Sequence, residues 1–173
     1  ESIKILIEKC LNTINSSTEI ILVDNGSNDE TSKNLKNTYL PSNIKVVKIK
    51  KNIGYGNGIL IGLNKARGEV LSWTHADLQT DPADIIIGYK KFKEELISKK
   101  CIVKGQRRNR NFLDSFFTIC MGVYSSLILK SWLYDINAQP KIFHSSFLEK
   151  FKDPPIDFSL DLYVLYFFRF NNV

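Results

Sequence analysis

The strongest constraint on the fold is an alternation of strand-like and helix-like segments that repeats four times in the first 104 residues. Apolar or alternating segments predict β-strands at 19–23, 44–49, 69–73 and 101–104. Helical spacing and capping signals predict α-helices at 2–14, at 27–40, between the glycine cluster and Ala66, and at 82–97. Short connections between these segments imply right-handed crossovers, and therefore an α/β fold with a mainly parallel central sheet and helices on both faces.

The size and composition of the chain fit one globular domain. Its 173 residues are 43% hydrophobic, and a domain of this length needs no disulfide or metal to hold a core. The cysteines Cys10, Cys101 and Cys120 are widely spaced, which is typical of a reducing compartment and predicts buried apolar thiols. The net charge of +6 is mild and no nucleic-acid-binding motif accompanies it, so we expect no nucleic acid partner.

The apolar stretch 112–133 bears on the location of the protein. No uninterrupted apolar run reaches the roughly 18 residues of a membrane-spanning helix, so we expect a soluble, cytoplasmic chain. We favour a buried helix for this stretch. The alternative is a helix that lies against an anionic membrane, which would make the protein peripheral at the cytoplasmic face.

Polar clusters follow three of the predicted strands. They begin at Asp24, at His75 and at Gly105. Ligands of open parallel sheets bind at the carboxyl ends of the strands, so we expect the three clusters to converge on one crevice. Asp24 could serve only in a turn and helix cap, or its carboxylate could accept hydrogen bonds from a nucleotide.

The glycine cluster 52–58 leaves two interpretations open. Gly54, Gly56 and Gly58 could form a dinucleotide-binding turn, and Asp77 then lies near the expected distance along the chain for a ribose-binding acid. Against this, that turn normally follows the first strand of its unit, whereas here an earlier strand carries its own acidic turn. Close approach of a ligand to the backbone would explain the glycines in either case.

The segment from His75 to Gln79 is a candidate metal site. In an extended segment, His75, Asp77 and Gln79 would point to the same side. Three such ligands suffice for a divalent cation if a nucleotide diphosphate supplies further oxygens. A polar loop without metal is the alternative interpretation.

The basic run 104–110 is a candidate phosphate site. A run of charge is usually a solvated face, but its place after the fourth strand favours at least one arginine facing phosphate. His144 has no visible partner in the sequence, and we expect it to be a loop or cap residue.

Taken together, these motifs resemble family 2 glycosyltransferases with a GT-A fold, close to polyprenol-phosphate sugar transferases of the dolichyl-phosphate mannose synthase type. The resemblance is carried by four strings: Ile21–Thr31, Asn52–Gly58, His75–Pro82 and Tyr134–Lys141. It implies one GT-A domain over 1–173 that lacks its first strand and a C-terminal continuation. The usual first acidic position of the metal motif is His75 here, which removes a negative charge.

The resemblance also implies roles for particular residues. The implied nucleotide-sugar contacts are Asp24, Asn52, Gly54, Ala76, Asp77 and Arg107. The implied metal ligands are Asp77, Gln79 and His75, and the implied catalytic residues are Asp77 and Asp135. The implied acceptor side comprises Arg110, Asn137, Gln139 and Lys141.

The function expected from these residues is inverting transfer of a sugar from a UDP- or GDP-sugar, assisted by Mg²⁺ or Mn²⁺. The expected acceptor is a polyprenyl phosphate at a membrane surface. For a hydroxyl acceptor, Asp135 would be the candidate base. Two alternatives remain open: a non-catalytic nucleotide-binding module, and an NAD(P)-dependent dehydrogenase.

Overall fold

In the computed structural model, residues 2–28, 35, 38–108 and 110–173 are described. Ser27 and Glu30 have the spacing of a helix capping box, but Glu30 and most of the helix predicted at 27–40 lie outside the described residues. The described helices are α1 (Ser2–Thr13), α2 (Tyr55–Lys65), α3 (Ala83–Lys91), α4 (Lys93–Ile97), α5 (Phe112–Leu129) and α6 (Leu160–Phe170), with a 3₁₀ helix at Ser145–Lys150. The strands are β1 (Ile20–Asp24), β2 (Ile44–Lys48), β3 (Val70–Trp73), β4 (Val103–Lys104) and β5 (Lys141–His144).

The strands pair in two groups. β1 and β2 are parallel, in a register that runs from Ile20 opposite Ile44 to Asp24 opposite Lys48. β3 and β4 both pair with β5, which lies between them and is antiparallel to each. The predicted α/β class is confirmed, but the sequence prediction missed β5, whose antiparallel pairing separates β3 from β4.

β5 has helices on both of its faces, because successive side chains of a strand point to opposite sides. Phe143 packs in a core with Leu160, Val164 and Phe168 of α6. Its neighbour Ile142 faces Gly88 of α3 on the other side. All four residues of β5 are buried, so the strand lacks the polar and apolar alternation that would have identified it.

The helix predicted at 82–97 is interrupted at Phe92, whose φ of −121° separates α3 from α4. It begins at Ala83, one residue after the predicted start, with Pro82 at the N-cap, and the Asp81 carboxylate accepts a hydrogen bond from Ala83 N at 3.0 Å. His144 caps the 3₁₀ helix by accepting a hydrogen bond from Ser146 N, as expected of a cap residue. Cys10 is buried as predicted, but Cys120 is exposed, so the prediction for that thiol was wrong.

α5 corrects a further prediction. We favoured a buried helix, but Gly122 and Ser125 are its buried residues and most of its large apolar side chains face outwards. Exposed members include Phe112, Phe116, Phe117, Tyr124, Leu127 and Ile128. By length and composition, α5 is long and apolar enough to cross a membrane, and it is the one such helix among the described residues.

Candidate active site

The turn after β1 and the glycine cluster after β2 are joined by side-chain hydrogen bonds. Asp24 is buried at the end of β1, and its Oδ1 accepts a hydrogen bond from Ser27 N at 2.8 Å. Asn25 Nδ2 donates to Asn52 Oδ1 at 3.2 Å and to the Gly54 carbonyl at 3.0 Å. The first two loops therefore meet at one edge of the sheet, where the parallel strands β1 and β2 both end.

The glycines of this cluster face the chain's own backbone. A Cβ atom on Gly54 would lie 2.2 Å from the Ile156 carbonyl oxygen, and one on Gly56 would lie 2.6 Å from that of Pro155. Asn57 N also donates to the Ile156 carbonyl at 2.8 Å. Segment 155–157 thus occupies the space that a dinucleotide pyrophosphate would need, which removes the structural basis of the dehydrogenase alternative.

The loop after β3 is bent where we predicted it to be extended. Leu78 has a φ of 65° and its side chain packs on the apolar cluster formed by Leu6, Cys10 and Ile44. Asp77 Oδ1 accepts a hydrogen bond from Gln79 N at 3.0 Å, which closes a tight turn. The segment is therefore not extended, and the predicted one-sided arrangement of His75, Asp77 and Gln79 loses its basis.

The predicted metal ligands in this loop separate into two environments. Asp77 and Gln79 are exposed, as is Ala76 between His75 and Asp77. His75 instead turns towards α2, where its Nε2 lies 3.1 Å from Tyr55 Oη and its ring stacks on the Tyr55 ring. Among the described residues, no group of three or more His, Cys, Asp or Glu side chains could hold a metal by itself.

A buried polar network lies directly behind His75, and Asp161 of α6 is its centre. Asp161 Oδ2 accepts a hydrogen bond from Tyr55 Oη at 3.0 Å, and Oδ1 accepts one from Gln139 Nε2 at 3.1 Å. Lys141 Nζ forms an ion pair with Oδ1 and also donates to the Ala138 carbonyl at 3.2 Å. The Lys141 ammonium also lies 5.4 Å from the centroid of the Trp73 ring.

This network changes the interpretation of two predicted acceptor residues. Lys141 is 0% exposed and Gln139 is buried, so neither can contact an acceptor directly in this structure. Burial lowers the pKa of Lys141, and the nearby Asp161 carboxylate opposes that effect. Burial and the negative charge of Asp161 raise the pKa of Tyr55, which keeps its hydroxyl protonated.

Arg107 and Asp135 form a second tight pair beside this network. Asp135 accepts hydrogen bonds from Arg107 N at 2.8 Å and from Arg107 Nε at 2.7 Å, and Nη2 of the same guanidinium lies 2.6 Å from its Oδ1. Asp135 is buried, whereas the Arg107 side chain is 28% exposed. Since the carboxylate is engaged by one arginine through three N–H groups, it is well placed to orient Arg107, and its predicted role as a base stays a prediction.

Arg107 and Arg110 both lie at a cleft of about 210 Å³ that joins charged and apolar groups. Thr118 Oγ1 accepts a hydrogen bond from Arg110 Nη1 at 2.6 Å and one from Arg107 Nη2 at 3.4 Å. Phe117 and Met121 of α5 line the same cleft. It is completed by Asp114 and by the predicted acceptor residue Asn137.

A continuous series of contacts connects the predicted clusters. Asn25 reaches Asn52 and Gly54, and Tyr55 contacts both His75 and Gln139. Gln139 follows Asp135 and Ala138 in the loop before β5, and Asp135 holds Arg107. The loops that carry the three polar clusters are thus linked by contacts and by the chain, and their convergence on one crevice stays a prediction.

Three residues of this region, Tyr55, Asp161 and Thr118, were not predicted from the sequence. Asp161 had a signal, because a carboxylate between Leu160 and Leu162 in a strongly apolar helix requires a buried partner. Tyr55 lies between two glycines and was treated as part of their turn. Thr118 has no distinguishing feature in the sequence, since its role depends on two arginines that the fold brings to α5.

Comparison with known proteins places this geometry in a family. Residues 1–151 match the family model described as "Glycosyl transferase family 2". A dodecaprenyl-phosphate galacturonate synthase from Rhizobium johnstonii is 28% identical over 140 residues, which cover 78% of this chain and 40% of that protein. A dolichyl-phosphate beta-glucosyltransferase from Dictyostelium discoideum is 36% identical over 88 residues, which cover 49% of this chain and 27% of that protein.

A further relative is an undecaprenyl-phosphate 4-deoxy-4-formamido-L-arabinose transferase from Pectobacterium atrosepticum, 37% identical over 90 residues that cover 49% of this chain and 28% of that protein. The matched segments therefore cover 27–40% of the length of these relatives. S. aureus TarS, in a crystal structure of residues 1–349, shares the fold with a TM-score of 0.58 and 18% identity, over 95% of this chain and 52% of TarS. Because the family model covers most of the chain, and the fold agrees with it, this protein belongs to glycosyl transferase family 2.

Proposed function

We propose that this chain is the catalytic domain of an inverting glycosyltransferase that moves a sugar from a nucleotide-sugar donor to a polyprenyl phosphate. The observation that carries the proposal is the cleft in which Arg107 and Arg110 meet Phe117 and Met121. Guanidinium groups bind phosphate oxygens, and an adjoining apolar wall suits the first isoprene units of a lipid. The names of the relatives, each of which includes a polyprenyl or dolichyl phosphate, agree with this chemistry.

The donor is assigned to the loops that follow β1, β2 and β3. Asn52 is the proposed nucleoside side of the site, with the buried Asp24 and the closely packed Gly54 shaping the turns around it, and Ala76 and Asp77 are the proposed diphosphate side. Asp77 and Gln79 offer one exposed carboxylate and one amide oxygen. This set fits Mg²⁺ or Mn²⁺ when substrate phosphates complete the coordination, and the bound cation would neutralise negative charge on the departing diphosphate.

In the proposed reaction, a phosphate oxygen of the acceptor attacks the anomeric carbon of the donor sugar. The new carbon–oxygen bond forms as the bond to the nucleoside diphosphate breaks, and the configuration inverts. A lipid phosphate is already an anion at neutral pH, so the attack needs no protein base. Asp135 therefore has a positioning role, in which it orients the Arg107 guanidinium towards the acceptor phosphate.

The exposed side of α5 is proposed to lie against the membrane that holds the acceptor. The helix is attached along its length, because Ser126 Oγ bonds to both Leu133 N and its carbonyl and Thr118 holds the two arginines. These contacts leave Phe116, Leu127 and other large apolar side chains facing outwards. This orientation favours a helix that lies in the membrane–water interface, next to the cleft at Arg107 and Arg110.

The experiment is a transfer assay on the full-length protein, with UDP- and GDP-sugars, Mg²⁺ or Mn²⁺, and a short-chain polyprenyl phosphate. Arg107→Lys should lower turnover by about 100-fold, because a lysine ammonium cannot bind Asp135 and an acceptor phosphate at the same time, as the planar guanidinium can. The matched control is Arg108→Lys, an exposed neighbour in the same basic run, which should keep its turnover. Equal activity of the two variants would remove Arg107 from the acceptor site.

The same assay distinguishes catalysis from simple nucleotide binding. Asp77→Asn should abolish most turnover and weaken Mn²⁺ binding, whereas Asp153→Asn, in an exposed loop, should change neither. Tight binding of a nucleotide sugar by the full-length protein without any transfer would favour the non-catalytic module.

A further inference from the structure

We propose that Tyr55 and Asp161 are positioning residues that hold the His75 ring with Nε2 protonated and Nδ1 left as a lone pair for the divalent cation. The inference rests on the proposed function, since it concerns which ring nitrogen of His75 is left to face the cation proposed at Asp77. It explains how a histidine can occupy a position where an acidic residue was expected from the sequence resemblance.

The first step is an inventory of protons around the Tyr55 hydroxyl. Among the described residues, three groups form hydrogen bonds with Tyr55 Oη: Asp161 Oδ2 at 3.0 Å, His75 Nε2 at 3.1 Å and Gln139 Nε2 at 3.3 Å. The Trp73 indole N–H acts on the same hydroxyl as a weaker donor. The hydroxyl has one proton to donate and can accept two hydrogen bonds. Only one of the three contacts can therefore be a donation from Tyr55.

The second step identifies that contact. Asp161 forms an ion pair with the fully buried Lys141, so the carboxylate carries no proton and can only accept. If Tyr55 donated to His75, lone pairs of Tyr55 and Asp161 would face each other without a proton in a buried site, which is strongly unfavourable. Tyr55 must donate to Asp161, and both His75 Nε2 and Gln139 Nε2 must donate to Tyr55.

The third step concerns the other ring nitrogen. In a neutral imidazole that carries its proton on Nε2, Nδ1 is an acceptor. Among the described residues, His75 Nδ1 has no hydrogen-bond partner, and it is absent from the buried polar atoms that lack one, so solvent reaches it. A carboxylate that fixes the tautomer of a ligating histidine through its other nitrogen is a recurrent device of metal sites, and here a tyrosine hydroxyl lies between the two.

The ring is also held sterically. The Tyr55 ring stacks on the His75 ring with a centroid separation of 5.4 Å, and it also stacks on the Phe158 ring at 4.8 Å. Tyr55→Phe should keep both stacks and remove only the hydroxyl, which makes it a suitable test of the hydrogen bond.

The test is ¹⁵N NMR of the histidine side chains in the full-length, metal-free protein, at a pH where the observed titration shows the rings to be neutral. The 173-residue chain contains two histidines, and His144 is an internal control because its Nδ1 accepts from Ser146 N at 3.1 Å, away from Tyr55. Any histidine in the remainder of the full-length protein would be separated by assignment with His75→Gln.

In the wild-type protein, His75 should show a protonated Nε2 with a proton protected from solvent exchange, and an unprotonated Nδ1. Tyr55→Phe should remove the protection at His75 and leave His144 unchanged. The matched control is Tyr163→Phe, which removes a hydroxyl bonded to the backbone of Lys152 and should leave both signals unchanged. A neutral His75 with its proton on Nδ1, or a protected signal that persists in Tyr55→Phe, would overturn the proposal.

A Mn²⁺ titration in the presence of GDP or UDP tests the ligand role separately. Tyr55→Phe should weaken Mn²⁺ binding by about 10- to 100-fold, as the loss of an orienting partner does at other metal sites. If Asp77→Asn weakens binding and Tyr55→Phe does not, this inference fails while the proposed function stands. If neither variant alters Mn²⁺ binding, the proposed metal site itself fails, and the ligand role of His75 fails with it.

Discussion

The two apolar helices α5 and α6 occupy opposite environments. α6 has one buried stripe formed by Leu160, Asp161, Val164, Leu165 and Phe168, which follows the helical period and packs on β3 and β5. α5 is apolar on nearly all sides, yet Gly122 and Ser125 are the residues it buries. Phe168 is 0% exposed, whereas Leu127 of α5 is 73% exposed.

The difference shows that the residues at the contact, rather than overall hydrophobicity, decide how a helix attaches to the fold. α5 approaches the loop before β5 through small residues, and a Cβ on Gly122 would lie 3.0 Å from the Leu133 carbonyl oxygen. Its large side chains are therefore left for another partner, for which we propose the membrane. α6 uses its large side chains for the core and places its one acidic residue of the first turn inside the protein.

The largest expected effect separates the two helices by stability. Phe168→Ala should lower the free energy of unfolding by about 3–5 kcal/mol, because it leaves a cavity among the rings of Phe143, Phe147 and Phe151. Leu127→Ala on α5 should change the same quantity by less than about 0.5 kcal/mol. Urea denaturation of the chain measures both. A loss of more than about 2 kcal/mol in Leu127→Ala would contradict the exposed position of this face.

A second comparison uses the acidic residue in the first turn of each helix. Asp161→Asn should cost about 3–5 kcal/mol, because it leaves the buried Lys141 ammonium without its counter-charge. Asp114→Asn should cost about 0.5 kcal/mol or less, since Asp114 is exposed and its oxygen lies 3.8 Å from Arg110. The double variant Asp161→Asn, Lys141→Met should recover much of the loss, and failure to do so would show that the uncompensated charge is not the cause.

Much of the first half of the fold was predictable because it is local. The predicted segments 2–14, 44–49 and 69–73 agree with α1, β2 and β3 to within a residue or two, since periodicity and turn residues determine them. β5 was not predictable in this way. Its four residues are all buried and include Lys141, which has its partner on α6, 20 residues away in the sequence.

Some residues of the candidate site could likewise be placed from the local sequence, and others could not. Asp24 ends β1 and Asn52 follows β2, so their loops could be placed from the sequence. The tight turn around Leu78 could not, because its positive φ accompanies a contact between the Leu78 side chain and the cluster beneath α1. The buried positions of Gln139 and Lys141 depend on Asp161, a residue whose partners are set by the packing of α6.

The outward face of α5 can be tested by membrane binding. Burying a leucine side chain is worth about 1.5–3 kcal/mol, so Leu127→Ser should reduce partitioning of the chain into anionic liposomes by roughly 10- to 100-fold. Co-flotation measures the bound fraction. The control is Leu11→Ser on α1, which is also exposed but lies on another element. Equal losses in both variants, or no binding by the wild-type chain, would contradict the proposed orientation of α5.

The smallest expected effect concerns Glu19, a partly exposed carboxylate that contacts β2 and the residue Arg67 after α2, away from α5 and α6. Glu19 lies 2.7 Å from Lys45 Nζ, and its other oxygen accepts a hydrogen bond from Arg67 N at 3.0 Å. The hydrogen bond from Lys45 is the main cause that lowers the Glu19 pKa below its ordinary value of 4.5. Glu19→Gln should therefore cost only about 0.2–1 kcal/mol at neutral pH, as expected for a partly exposed pair near the surface. Because the unfolded state binds the proton more tightly, the contribution of Glu19 is present above pH 4.5 and is lost as the pH falls through the lowered pKa.

Urea denaturation of wild type and Glu19→Gln at several pH values should show curves that differ at neutral pH and converge in acid, with exposed Glu8→Gln as the control. A difference that grows in acid would mean that Glu19 stabilises the fold in its protonated form, contrary to the charged contacts seen here.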